Sequence, residues 1–427
     1  MIILLFITFF VSMFLGIPIA FSMILSVIAA VIFEGNIDLT IVVQRLVNGG
    51  ASFTMLALPL FIFAGNLMMY GSTSRLMNFA NMLIGRIPGS IGTVGVVGSA
   101  FFGSVSGSGV ATTAAVGSIV APEMVKQGYR KGYTASLLAA SGTLGVLIPP
   151  SIVAIVYGSI ASTSIGKQLI AGAGPGFLIM LALIGLNTII ALRKGIGNQK
   201  HKYSAKEKVK ITLDVIPPLL MPIIIFGGIM SGLITATESA VIATVYALIL
   251  SMIIYREIDF KKLMKVTSDS VVTSAVILLI MAAAAPFSWT LAIQQVPQML
   301  MSNIASFSTN PIVIMTLIVF VIIILGIFME GISIVIIMTP IMLPLAVSVG
   351  IDPIHFGTIM LAAINIGAVT PPLAVGLFVS TKIVNIPISK VFPDVFYIII
   401  AMLICVAIIV IWPALTLWLP NLLMQKL

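Results

Sequence analysis

The chain has 427 residues, 60% of them hydrophobic and only 8% charged, with a formal net charge of +9. A soluble domain carries about 25% charged residues, so a soluble enzyme or a nucleic-acid-binding protein is excluded and the positive surplus reads as membrane topology. Many apolar runs reach the ~18–20 residues that cross a bilayer, and the ~10-residue alternating segments of a porin-like barrel are absent. These features predict an all-α polytopic membrane protein.

Residues 1–54 form an N-terminal arm, expected to be retained because Met1–Phe33 has no basic start and no small-residue cleavage site. Residues 2–33 read either as one tilted helix or as two short ones broken at Gly16-Ile17-Pro18, and the internal repeat described below favours two. Arg75 and Arg86 are placed inside, followed by a re-entrant hairpin over 89–121. Lys126, Arg130 and Lys131 are inside. Residues 132–157 cross outward through a break at Gly145–Ser151, Lys167 is outside, and about 170–192 return, closing a first repeat at 55–192.

The stretch Arg193 to Lys210 holds seven Lys/Arg, which places it in the cytoplasm. It opens a segment, 193–265, with two further crossings around an outer turn, Gly232 to Thr237, and a second basic stretch, Arg256 to Lys265. The second repeat, 266–427, crosses outward to a loop at 296–310 free of Lys and Arg, then enters a second hairpin at 311–346. Its broken helix, 357–380, returns to Lys382 and Lys390, and a last span leaves both chain ends outside. This map puts 18 of the 21 Lys/Arg inside, leaving only Arg45, Lys167 and Lys426 outside.

The two halves repeat each other in inverted orientation. Gly145-Val146-Leu147-Ile148-Pro149-Pro150-Ser151 recurs 222 residues later as Gly367-Ala368-Val369-Thr370-Pro371-Pro372-Leu373, and the same shift carries Gly109 onto Gly331 and Pro122 onto Pro344. Glycine and paired prolines in a membrane helix free backbone carbonyls that lipid cannot satisfy. Paired, symmetry-related breaks point to the binding site of a secondary transporter.

The first hairpin tip, Gly103-Ser104-Val105-Ser106-Gly107-Ser108-Gly109 followed by Ala111-Thr112-Thr113, is dense in hydroxyls and glycine. Packing through small residues is the competing explanation, which the neighbouring break disfavours. The second tip carries Glu330, which the shift aligns with Ser108. A carboxylate inside a membrane segment is costly and usually functional; it would ligate a cation, carry a proton, or accept hydrogen bonds from substrate hydroxyls.

Freed carbonyls suit a hard monovalent cation. Two related Na+ sites are therefore expected. One draws on Ser104, Ser106, Gly145, Ile148, Pro150 and Ser151, and the other on Gly326, Gly367, Thr370 and Leu373, largely through backbone oxygens.

The remaining polar residues read as structural. Thr237 is expected to cap the helix that carries Glu238, with Asp214 and Asp269 near other helix starts. His201 and His355 lack metal-ligand spacing and read as solvated, and the single Cys405 as core or lipid-facing. No Walker lysine or His-Glu-x-x-His occurs, and the serine cluster has no intramembrane base, so neither ATP-driven transport nor an enzyme is encoded.

At these residues the chain resembles the large membrane subunit of tripartite ATP-independent periplasmic (TRAP) transporters, the DctM type, including its sialic-acid branch. The resemblance is carried by Pro59–Met68, Gly107–Met124, Gly142–Ser151 and Gly232–Ala240; Ala236 stands where the family usually has proline. It implies sodium-coupled uptake of an organic acid at the bacterial inner membrane. A periplasmic binding protein would deliver the acid, and a separately encoded membrane subunit of about four helices would accompany the chain. It also implies an elevator-type fold and substrate contacts at Ser106, Ser108, Ser151 and Glu330. An acidic Glu330 favours a polyhydroxylated acid such as sialic acid over a C4-dicarboxylate. A stand-alone ion-coupled carboxylate carrier is the alternative; a channel would show neither saturation nor sodium coupling.

Overall fold

The computed structural model describes residues 1–51, 53–85, 87–196, 203–299, 302, 310–372 and 374–424. Expectations placed on Arg86, Lys200, His201, Lys202, Leu373, Lys426 and most of 300–309 lie outside these residues. The described residues are almost wholly helical, without strands. Seven of their helices are long and apolar enough to cross a membrane, or eight if the pair Lys131–Leu147 and Ile152–Ile160, bent by 45°, counts as one span.

The N-terminal arm is two short helices, α1 (Ile2–Phe14) and α2 (Ile19–Glu34), separated at Gly16, whose φ is +86°. They pack on each other, and α3 (Leu39–Gly50) and α2 pack against the long α14 (Phe260–Ile293). Next, α4 (Ala57–Ile84) is kinked at Tyr70 and Gly71. Gly71 has φ +84°, and a β-carbon there would lie 2.8 Å from the Tyr255 ring, so the kink needs glycine on both counts. Arg75 locks it: its guanidinium lies 3.6 Å over the Tyr255 ring, pairs with Glu257 at 2.9 Å and donates to the Gly71 carbonyl.

The first hairpin is α5 (Ser90–Ser106) and α6 (Gly109–Lys126), joined through Gly107 in the left-handed region. The broken helix follows as α7 (Lys131–Gly142), α8 (Leu144–Leu147) and α9 (Ile152–Ile160), and α10 (Ile165–Ala171) and α11 (Ala173–Lys194) complete the first half. Between the halves lie α12 (Ala205–Met230) and α13 (Ala236–Leu248), both packed on α4. The cap of α13 is Thr235 rather than Thr237: Thr235 and Glu238 bond reciprocally to each other's backbone N–H. Thr235 has the extended backbone geometry a cap requires, whereas Thr237 is already inside the first turn. Asp214 and Asp269 lie well inside α12 and α14, more than two turns beyond their starts.

The second half repeats the first. It comprises a hairpin of α15 (Pro311–Phe328) and α16 (Gly331–Ser348), a broken helix of α17 (Pro353–Gly367) and α18 (Val375–Val384), then α19 (Asp394–Ile411) and α20 (Ala414–Leu423). Adding 222 to the bounds of α6 gives 331–348, the bounds of α16. Both hairpins and both broken helices run a few residues longer than the sequence suggested, ending at 126, 348, 160 and 384.

The halves interlock. The second segment of each broken helix packs on the opposite hairpin, α9 against α16 and α18 against α6, and α18 also packs against α7 of the first broken helix. Ile152 N donates to Gly107 O at 3.3 Å, which brings the first hairpin tip to the level of the first break, halfway along its span. A hairpin whose tip reaches only a mid-span break is re-entrant. Cys405 is buried in the core, and His355 is not solvated: only 3% exposed, its Nδ1 lies 2.7 Å from Thr416 Oγ1.

Candidate functional site

Proline chemistry creates the site. Pro149 and Pro150 have no N–H, so the carbonyls of Gly145 and Val146 lose their helical donors four residues on; Pro371 and Pro372 do the same to Gly367 and Ala368. Both Pro-Pro peptide bonds are cis. Glycines then let each hairpin tip meet its break backbone to backbone. A β-carbon on Gly103 would lie 2.6 Å from Gly145 Cα, and one on Gly326 would lie 2.8 Å from Gly367 Cα. The 222 shift pairs Gly326 with Ser104, but the residue that makes the equivalent contact is Gly103. The first arms of the two hairpins are therefore offset by one residue although their second arms are not.

The two tips and two breaks enclose a cavity of about 590 Å³. Its wall includes the first turns of four helices: Gly109–Ala111 of α6, Ile152 and Val153 of α9, Gly331 and Ile332 of α16, and Val375 and Gly376 of α18. Each N-terminus carries roughly half a positive charge, so the cavity favours anions, although at α6 and α9 part of the first turn is already paired, Ala111 N with Ser108 Oγ and Ile152 N with Gly107 O. Among its described lining residues none is Lys, Arg or His, and Glu330 is the one acid.

The first tip is internally bonded. Ser106 Oγ lies 3.0 Å from Thr112 Oγ1, Thr112 Oγ1 donates to Ser108 O at 2.7 Å, and Ser108 N donates to Ser106 Oγ at 3.4 Å. Ser108 caps α6, accepting from Ala111 N. Both Ser106 and Ser108 line the cavity. Gly145 is buried beside them, a β-carbon there lying 2.9 Å from Thr112 Oγ1 and 3.1 Å from Ser108 O, and a β-carbon on Gly107 would lie 2.8 Å from Pro150 O. Ser104 Oγ is engaged with Phe101 O at 2.7 Å, and Ile148 packs toward α11 at Gly176. Ser151 does not line the cavity: fully buried, it caps α9, accepts from Ala154 N and donates to Val146 O across its own break.

At the second tip Glu330 sits at the N-cap of α16 without a side-chain capping bond, exposed to the cavity. Among the described residues it has no basic partner. Gly326 lines the cavity and Gly367 lies behind it. Thr370 Oγ1 donates back to Ile366 O at 2.6 Å. Leu373 lies outside the described residues.

Sequence reasoning did not single out Asn66, Thr143 or Asn365, all of which line the cavity. A signal was present for the last two: each is a polar residue two positions before a break glycine, and 143 plus 222 is 365.

The family model for the tripartite ATP-independent periplasmic transporter, DctM component, matches residues 6–415. The sialic acid TRAP transporter large permease protein SiaM of Vibrio cholerae is 34% identical over 96% of this chain and 96% of its own. The C4-dicarboxylate TRAP transporter large permease protein DctM of Pseudomonas aeruginosa is 35% identical over 88% of each. Among solved structures, the Alcanivorax borkumensis YdaH transporter, described as having an unusual topology, superposes with a TM-score of 0.59 over 88% of each chain at 14% identity, a likeness of fold alone. With apolar spans, an inverted repeat and two relatives that are transport permeases over nearly its whole length, this chain belongs to the DctM family of TRAP transporter large permeases and is a multi-pass protein of the bacterial inner membrane.

Proposed function

We propose that the protein imports an organic acid together with Na+, as the large subunit of a three-part system. The observation that carries this is the convergence of four helix N-termini on a cavity with no Lys or Arg among its described lining residues. A carboxylate there is held by backbone N–H groups and partial dipole charge rather than by an ion pair. A cavity of about 590 Å³ falls within the several-hundred-Å³ range of small-ligand sites. Glu330 disfavours a second carboxylate and accepts hydrogen bonds from hydroxyls, which selects a sugar acid such as sialic acid over a C4-dicarboxylate.

Na+ is a co-transported substrate in this scheme. One ion takes oxygens around Ser104, Ser106, Gly145, Ile148, Pro150 and Ser151, and the second takes those around Gly326, Gly367, Thr370 and Leu373. The support is the loss of helical donors at both breaks and the lack, among the described residues, of any cluster of acidic, His or Cys ligands that would suit a divalent ion. Translocation by an elevator movement of the two hairpins and broken helices against α12, α13 and the N-terminal arm fits their interlocking as one unit. The partners are a periplasmic substrate-binding protein and a separate four-helix membrane subunit.

The test is reconstitution of the large subunit in proteoliposomes with its small subunit and loaded binding protein. Saturable uptake is expected only under an inward sodium gradient. Non-saturating flux, or uptake indifferent to sodium, overturns the reading.

A further inference from the structure

We infer that Asn365 is a substrate-contacting residue that recognises a hydroxyl of the transported acid. The inference rests on the carboxylate-import reading and adds to it a residue and a chemical requirement. Asn365 lies in α17, two residues before Gly367, where the helix packs on the second tip: a β-carbon on Gly331 would meet the Ile364 side chain at 2.8 Å. It is only 1% exposed and lines the central cavity. Neither its amide nitrogen nor its amide oxygen has a hydrogen-bond partner.

A buried amide with both ends unpaired is costly, and such groups ordinarily find partners. Other asparagines in this protein do so. Asn187 Nδ2 reaches Gly89 O and Thr93 Oγ1, each at 3.0 Å, and Asn66 Nδ2 reaches Ser270 Oγ at 2.8 Å. The repeat mate of Asn365, Thr143, is likewise satisfied, donating to Ala140 O at 2.7 Å. Asn365 therefore departs from both comparisons, including the two residues, Asn66 and Thr143, that line the same cavity.

The pairing requirement identifies the ligand group. A cation would satisfy the amide oxygen and leave the N–H groups unpaired; a carboxylate would do the reverse. A hydroxyl both donates and accepts, and Glu330 across the tip is a second acceptor for hydroxyl protons. The two side chains together select a hydroxylated acid whose carboxylate faces the helix N-termini.

The test uses the reconstituted three-part system with saturating loaded binding protein and radiolabelled sugar acids, hydroxy acids and C4-dicarboxylates. Asn365→Leu should lower the maximal import rate of the preferred hydroxylated acid by about tenfold or more, as expected when a site's polar groups lose their partner. The binding-protein and Na+ concentrations for half-maximal uptake should stay within about twofold of wild type, because neither docking nor the oxygens proposed for the second ion involve the Asn365 amide. Asn365→Asp, of equal volume, should behave alike, and carries the test if Asn365→Leu does not assemble with the small subunit.

Wild-type import with either variant overturns the role of Asn365 and leaves carboxylate import standing. So does a tenfold rise in the Na+ requirement at unchanged maximal rate, which would make the amide an ion ligand. Failure of both variants to assemble overturns it too, because the amide would then hold the fold. A wild-type preference for an acid without a hydroxyl also overturns it. A wild type that imports none of these acids overturns the carboxylate reading itself, and this inference with it.

Discussion

The two hairpin tips share a backbone plan and differ in chemistry. At the first, Ser106, Ser108 and Thr112 use their hydroxyls on one another and on the tip backbone. At the second, Glu330 stands exposed to the cavity without a basic partner among the described residues, and Asn365 has no hydrogen-bond partner. A closed hydrogen-bond network fixes oxygen positions in advance, which suits an ion. Open polar groups wait for a partner with its own donors, which suits an organic substrate. Duplication supplied one backbone geometry twice, and on the proposed reading the second tip adds to it the side chains that meet the substrate. What both tips need equally is glycine at the tip–break contact.

That shared requirement gives the largest expected effect. In Gly367→Ala the new β-carbon would meet Gly326 Cα at 2.5 Å and Ile323 O at 2.9 Å, all backbone that cannot yield. Overpacking of this kind costs about 1–3 kcal/mol or more, and it separates the tip from the break. Uptake should fall more than tenfold, with a lower melting temperature for the purified protein. Gly227→Ala in α12, with nothing within 4 Å, should leave both unchanged or slightly raise stability. Equal effects at the two positions would mean that the tip–break contact has no special role.

Next in size is the asymmetry itself. Glu330→Ala should reduce uptake of a hydroxylated acid by roughly 10–100-fold, the worth of about 1.5–3 kcal/mol in hydrogen bonds to a charged group. Ser108→Ala, its repeat mate, removes an N-cap worth about 1 kcal/mol and should cost no more than about fivefold. Initial uptake rates at saturating sodium measure both, and the reversed order would dissolve the contrast between the tips.

The repeat, both breaks and both hairpins were legible in the sequence because proline and glycine act through backbone chemistry that needs no partner. The glycine, proline and first-tip hydroxyl positions followed for the same reason. Side-chain destinations were not legible, since they depend on helix phase and neighbours. Ser151 turns back to bridge its own break, while Ile152 and Val153, adjacent in sequence, face the cavity. His355, in a short loop by hydropathy, is buried against Thr416 by the return of α20, a contact across 61 residues. The one-residue offset that puts Gly103 in place of Ser104 arises in the turn, where Gly107 is left-handed and its counterpart Met329 extended. A gapless shift cannot register such a change. Asn365 was overlooked because a lone polar residue in an apolar run carries no sign of whether it is satisfied.

Smaller effects should separate the two proposed ion sites. Thr112→Val leaves Ser106 Oγ and Ser108 O without their shared hydroxyl and disturbs the first tip, at about 1–3 kcal/mol. The sodium concentration for half-maximal uptake should rise several-fold with the substrate ranking unchanged. A change in substrate ranking instead would assign the first tip to substrate rather than ion.

The smallest expected effect falls at Thr370. Its hydroxyl proton is committed to Ile366 O at 2.6 Å, which leaves the oxygen lone pairs available to a cation at the second break. Because the rest of the proposed site is backbone, Thr370→Val removes one oxygen of several and leaves in place the carbonyl of Ala368 and that of Gly367, which accepts from Thr370 N at 3.0 Å. Half-saturation by sodium should therefore rise about two- to fivefold, about 0.5–1 kcal/mol, the lower end of what a single hydrogen-bonding oxygen contributes, without loss of maximal rate. The same substitution also removes the bond to Ile366 O, so thermal stability measured without sodium controls for a general loosening of the helix end. A lower melting temperature with an unaltered sodium response would make Thr370 a structural cap and move the second ion toward Gly326 and Gly367. A sodium response altered at constant stability would place the ion at the threonine.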